Sequence, residues 1–299
     1  MQIEFHNGKF VALDTSGNVI ASASSKYYLK QKLAKTPAVA SAVTPVSAVA
    51  SVINPALEFA IAKRFDFVRR YVRMVAKKKT ASAIITGDGG LGKSHTVIQA
   101  IRDAGLKEIR AFEADEAVSS SNVYTVVKGY STAKGLFRTL HDFRNAIIVF
   151  DDCDSILKDP DAVNLLKGAL DSYDERVISW NADRLDPELD RSFRFTGGII
   201  FISNRAMHTI DQALRTRAMC VDVSMTLDQK IERMEMIMSD SDFLPQVPMP
   251  MKRDALSLIA ANKTVAREVS LRTLIAVTKI RAEGDQDWED MARYSLIAG

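Results

Sequence analysis

Ser82-Ala83-Ile84-Ile85-Thr86, followed at once by Gly87-Asp88-Gly89-Gly90-Leu91-Gly92-Lys93-Ser94, is the stretch on which the fold turns. The first five residues read as a short apolar strand, and the next eight match G-x-x-x-x-G-K-[ST] at every fixed position. A helical pattern begins directly after them. The glycines let successive backbone N–H groups turn inward around phosphate oxygens, and the helix adds its positive N-terminal end. This reading assigns Gly87, Asp88, Gly89, Gly90, Leu91, Gly92, Lys93, Ser94 and the adjoining His95 to phosphate binding. Lys93 is expected to reach the β- and γ-phosphates, and the Ser94 hydroxyl to ligate Mg²⁺. The Gly92-Lys93-Ser94 ending argues against a dehydrogenase loop.

Two more continuous apolar strands stand out, Ala146–Phe150 and Gly198–Ser203. Such strands with helices between them predict a parallel sheet covered on both faces. A further strand is expected from either Ile109–Phe112 or Val123–Val127. In such sheets ligands bind beyond the carboxyl ends of the strands. Asp151 and Asp152, which close the second strand, therefore face the phosphate loop. Asp151 is the natural Mg²⁺ partner through a water, and Asp152 can polarise an attacking water. The competing reading makes these acids caps of the helix from Ser155, with Asp154 a bystander. Cys153 reads as a packed small residue, with no histidine near it in sequence.

Three segments precede this core. Residues 1–36 alternate in polarity around Asp14-Thr15-Ser16-Gly17-Asn18, which predicts a small β-hairpin unit with a short helix from Ser25. Residues 37–54 are mostly Ala, Val, Ser, Thr and Pro, the composition of a linker. Pro55 is expected to open a helix whose stripe of Leu57, Ile61, Phe65, Val68, Val72 and Val75 is buried. The same stretch carries Lys63, Arg64, Arg69, Arg70, Arg73, Lys77, Lys78 and Lys79. They form either a solvated face or a contact surface for nucleic acid or an acidic partner. The domain organisation read this way is 1–36, a 37–54 linker, an α/β domain over 55–225, and a helical domain over 226–299.

With 47% hydrophobic and 26% charged residues the chain is too apolar for disorder and too charged for a membrane protein. No run of eighteen apolar residues occurs, so no membrane contact is expected. Two cysteines without a CxxC exclude a zinc ribbon or a disulfide scaffold and fit a reducing, cytoplasmic location. A net charge of +3 is too mild to announce nucleic acid by itself.

Phosphate loop, Asp151-Asp152 strand, Ser203-Asn204 at the next strand end, and Ala213-Leu214-Arg215-Thr216-Arg217 together resemble the AAA+ ATPases, from about Pro55 onward. The resemblance implies an α/β fold: a parallel-sheet core, a C-terminal helical lid and, here, the small N-terminal β-hairpin appendage. It implies ATP and Mg²⁺ as cofactors, Asn204 as sensor 1, and Arg217 (Arg215 second) as an arginine finger acting on a neighbouring subunit. An intrasubunit salt bridge competes for either arginine. Ser270-Leu271-Arg272 is similar to the sensor 2 motif, which makes Arg272 a γ-phosphate contact from the lid, against the reading of a plain surface charge. The family's usual second acid is Glu, so Asp152 leaves slow hydrolysis or an ATP-driven assembly switch open. Residues 174–180 and 193–195 suggest a hairpin before sensor 1, and Lys128-Gly129-Tyr130 is either a pore-loop tip or a glycine turn. A weaker resemblance is to members encoded by bacterial viruses, whose site of action is the host cytoplasm. The implied protein is a homo-oligomeric ring or spiral, such as a hexamer, that remodels or loads a macromolecule, with nucleic acid as the first choice of partner. The alternatives are a protein-remodelling chaperone with a client protein, or an ATP-gated scaffold.

Overall fold

The computed structural model describes residues 2–6, 9–13, 19–23, 58–110, 122–129, 131–171, 173, 175–181 and 190–298. The chain divides into two compact units, Met1–Val52 and Ile53–Gly299. Among its described residues the first contains three strands, β1 (Gln2–His6), β2 (Lys9–Leu13) and β3 (Val19–Ala23), paired antiparallel in that order. The expected hairpin is thus a three-stranded meander, with a register shift at Ala12/Leu13. The helix expected from Ser25 and the 37–54 linker lie outside the described residues.

In the second unit the first helix, α1, runs Ile61–Ala76. Pro55 and Leu57 lie outside the described residues, and the α-helix starts later than Pro55, at Ile61, with Ala60 as its N-cap. The stripe from Ile61 to Val75 is buried as its spacing predicts. Arg64 is the exception to the solvated basic face. It is 1% exposed, and its guanidinium donates to the Ser224 carbonyl and to Gln229 Oε1.

The central sheet is wholly parallel and is built from β4 (Ser82–Thr86), β5 (Lys107–Glu108), β6 (Val123–Lys128), β7 (Ile147–Asp151), β10 (Gly198–Ser203) and β11 (Met219–Asp222). Their spatial order is β11-β4-β10-β7-β6-β5. Of the two candidates Val123–Lys128 is a strand, while Ile109 follows the two-residue edge strand β5 and residues 111–112 lie outside the described residues. Pleat alternation sends Ala83, Ile85, Ile147, Val149, Ile200 and Ile202 to one face, where they pack with α1 and with α2 (Lys93–Asp103). Ile84, Ile148, Phe150, Ile199 and Phe201 pack on the other face with α3 (Ala133–Asp142) and α4 (Pro160–Ala169).

Two short strands, β8 (Val177–Ser179) and β9 (Ser192–Arg194), form the expected antiparallel hairpin between β7 and β10. Its base is anchored by Ile178 and Phe193 in the core and by Arg176, which donates to the Ala169 and Gly197 carbonyls. Past α5 (Gln212–Arg215) and β11 the chain is helical: α6 (Leu227–Met238), α7 (Met249–Asn262), α8 (Leu271–Glu283) and α9 (Trp288–Ile297) share one core. No helix among the described residues is long and apolar enough to cross a membrane.

Candidate active site

The phosphate loop joins the carboxyl end of β4 to the first turn of α2. Its backbone enters the left-handed region at Gly87, Gly90 and Gly92, which an L side chain resists. At Gly87 space forbids one as well, since a β-carbon would lie 2.8 Å from the Val223 carbonyl carbon. Gly92 caps α2 with no side chain over the helix end, leaving its first N–H groups for an anion. Leu91 is 1% exposed and belongs to the core, so it serves the loop through its backbone. His95 is exposed at the rim.

Lys93 is 5% exposed. Its Nζ donates to Gly87 O at 2.7 Å, Asp88 O at 2.6 Å and Asn204 Oδ1 at 2.8 Å. Burial pulls this ammonium below the ordinary lysine range, and Asp152, Asp88, Asp151 and Asp154 oppose the shift. Asn204 continues the chain of contacts, because its Nδ2 donates to Asp152 Oδ1 at 2.8 Å. Asp152 itself is exposed and left-handed, with φ 57°, and its N–H donates to Ile202 O. Asparagine and aspartate are the side-chain-bearing residues most tolerant of that conformation. Lys93, Asn204 and Asp152 therefore form one hydrogen-bonded bridge across the strand ends, with the one-methylene-shorter acid still inside it.

Beside the bridge Ser94 Oγ donates to Asp151 Oδ1 at 2.7 Å, and Lys128 Nζ lies 3.2 Å from Asp151 Oδ2. A hydroxyl and a carboxylate, both hard oxygen donors, suit Mg²⁺, which takes one or two protein ligands plus phosphate oxygens and water. No larger cluster of acidic, histidine or cysteine ligands occurs among the described residues. Asp154 takes no part in helix capping here; its Oδ1 accepts from Ser203 Oγ at 2.6 Å. Cys153 is buried, and its thiol is pushed up to about 11 by that burial.

The C-terminal helices close over the loop. Leu271 N donates to Gly90 O at 2.8 Å, and Lys230 Nζ lies 2.7 Å from Asp88 Oδ2. Arg272, exposed, joins Gly89, Gly90, Gly92, Lys93, Ser94, His95, Asp152 and Asn204 around a cleft of about 140 Å³. Arg217 lies elsewhere. Its carbonyl accepts from Ser82 Oγ, at the end of β4 opposite the loop, and its Nη1 donates to Ala213 O. Arg215 Nε donates to Ile210 O, and neither arginine makes a salt bridge among the described residues.

A family model for the ATPase family associated with various cellular activities (AAA) matches residues 83–229. Residues 83–229 are an AAA domain. The matched span holds the loop, both strand-end acids, Asn204, Arg215 and Arg217, and it ends in the first turn of α6. Over 252 residues the chain is 27% identical to an uncharacterized 36.7 kDa protein of Enterobacteria phage T4, in the nrdC-mobD intergenic region. That likeness covers 78% of this chain and 73% of the phage protein, in line with the resemblance to phage-encoded members.

Four contacts of the AAA site were not foreseen: Lys128 on Asp151, Lys230 on Asp88, Leu271 on Gly90, and Arg233 against Gly92. All depend on the register of parallel strands or on how the C-terminal helices fold back, and no local pattern encodes either. Tyr130, the aromatic of the pore-loop reading, lies outside the described residues.

Proposed function

We propose that this chain is a Mg²⁺-dependent ATPase that hydrolyses ATP at sites shared between subunits of a ring or spiral, such as a hexamer. The observation that carries this reading is the bridge from Lys93 through Asn204 to Asp152, set beside the Ser94–Asp151 pair. Bound Mg²⁺ supplies charge neutralisation for the phosphates, held at Ser94 and Asp151. The loop N–H groups and Lys93 orient the phosphates. Asp152 accepts a proton from the attacking water, with Asn204 fixing the carboxylate. Arg272 contacts the γ-phosphate from the lid.

Arg217 supplies the finger to the next subunit. Ser82 and Thr86 are four residue steps apart, so at about 3.3 Å per step roughly 13 Å of β4 separates Arg217 from its own loop. A guanidinium there serves a neighbour, and its fixed charge and forked donors suit a phosphate. The test is ATPase rate against protein concentration for wild type and Arg217→Ala. A rate per subunit that rises with concentration and collapses in the variant is expected; a flat, unchanged rate overturns the shared site.

The macromolecule acted upon is read as nucleic acid, in replication or processing, from the exposed Lys63, Arg69, Arg73, Lys77 and Lys79 on and after α1. Binding of single- or double-stranded DNA that weakens steeply with salt is expected. Salt-insensitive or undetectable binding favours a client protein.

A further inference from the structure

Arg233 on α6 is 6% exposed, yet among the described residues its guanidinium has no hydrogen bond and no ion pair, and its Nε is shut off from solvent. Its guanidinium carbon lies 3.8 Å from the ring centroid of Phe65 on α1. On the other side, a β-carbon on Gly92 would lie 3.6 Å from Arg233 Nη2. The neighbouring charge is another cation, Arg69. Stacking on an aromatic face compensates a buried cation only in part, and a shielded Nε–H with no acceptor adds to the cost. Burial accordingly pulls this arginine down to about 10.

The lysines around the loop have partners, since Lys93 has three acceptors, Lys230 has Asp88 and Lys128 has Asp151, and Arg272 is exposed to solvent. Arg233 faces instead the uncapped N-terminus of α2, an eleven-residue helix whose positive end adds to the local demand for an anion. The demand also has a location. Asn204 of the hydrolytic bridge stands at Gly89, 3.6 Å from a β-carbon there, whereas Arg233 stands at Gly92, the other end of the loop.

We infer that Arg233 is a nucleotide ligand that takes the α-phosphate from the lid, and so holds the lid closed over ADP as firmly as over ATP. The inference rests on the reading of this site as a nucleotide site. It divides the labour between two arginines: Arg272 reports the γ-phosphate, and Arg233 reports whether any nucleotide is present. Hydrolysis alone then leaves the lid docked, and ADP release frees it.

The test compares full-length wild type, Arg233→Met and Arg272→Ala by thermal unfolding without nucleotide and by equilibrium binding of fluorescent ATP and ADP with Mg²⁺. Arg233→Met is expected to melt above wild type without nucleotide, since an unpaired buried charge is gone, and to lose about tenfold or more in affinity for both nucleotides. Arg272→Ala is expected to lose affinity for ATP alone. A lower melting point with unchanged affinities overturns the inference and makes Arg233 a packing residue on Phe65. A loss confined to ATP overturns the α-phosphate assignment. Should Arg233→Met not fold, Arg233→Lys keeps the charge without the fork: several-fold weaker ADP binding supports the inference, and unchanged binding overturns it. Wild type that binds neither nucleotide sinks the underlying reading of the site instead.

Discussion

Asp151 sits between a hydroxyl on one oxygen and an ammonium on the other, and only the hydroxyl assists a divalent cation. Lys128 is 71% exposed, so its pull on Asp151 is screened, but its charge still opposes a second cation at the same carboxylate. Lys128→Met is therefore expected to tighten Mg²⁺ binding by about two- to fivefold, as an exposed pair worth under ~1 kcal/mol allows. Magnesium titration of bound fluorescent nucleotide reads the effect, and weaker Mg²⁺ binding in the variant would show that Lys128 supports the site. Cys153 gives a second expectation. With its thiol pushed up to about 11, on the order of a hundredfold less thiolate is present at pH 8 than for an exposed cysteine. Iodoacetamide is expected to spare Cys153 in the native chain and label it once unfolded. Above pH ~9 the unfolded chain loses this proton first, so the contribution of Cys153 to stability declines as pH climbs through about 11.

At the scale of elements, α6 is the piece on which the lid contacts depend, for it carries Lys230 and Arg233 to the loop. It starts at a capping box in which Thr226 Oγ1 accepts from Gln229 N and Gln229 Oε1 accepts from Thr226 N. Gln229 Oε1 also accepts from the buried Arg64. Thr226→Ala is expected to cost about 1 kcal/mol, seen as faster amide exchange in α6 and a lower melting point. An unchanged exchange pattern would show that tertiary contacts alone hold the helix. The phosphate loop and the apolar strands were legible because their signals are local: glycines before Gly92-Lys93-Ser94, and continuous runs of Ile, Val and Phe. Val123–Val127 could not be told from Ile109–Phe112 in the sequence, since both are short runs and the pairing of Val123–Lys128 with β7 is not encoded locally. Arg64 was misread for a related reason. A cation one step from the buried stripe looks solvated until α6 and the Ser224 carbonyl are folded against it.

For the whole molecule the deciding length is β4, which puts the phosphate loop at one end and Arg217 at the other. In the proposed shared site, one subunit would hold a loop and a finger that serve different neighbours, a head-to-tail arrangement. This yields an expectation that neither residue-level loss of activity nor sizing alone can mimic. Lys93→Ala lacks a loop cation but keeps its finger; Arg217→Ala keeps its loop but lacks a finger. Each is expected to be inactive by itself. In an equal mixture, random neighbours pair an intact loop with an intact finger in about a quarter of sites, so ATPase activity near a quarter of wild type returns on mixing. Addition of either variant to wild type is expected to lower the rate per wild-type subunit. A mixture as inactive as its parts would place the finger within the subunit or remove Arg217 from catalysis, and the geometry along β4 would then mark only a structural arginine at the base of the sheet.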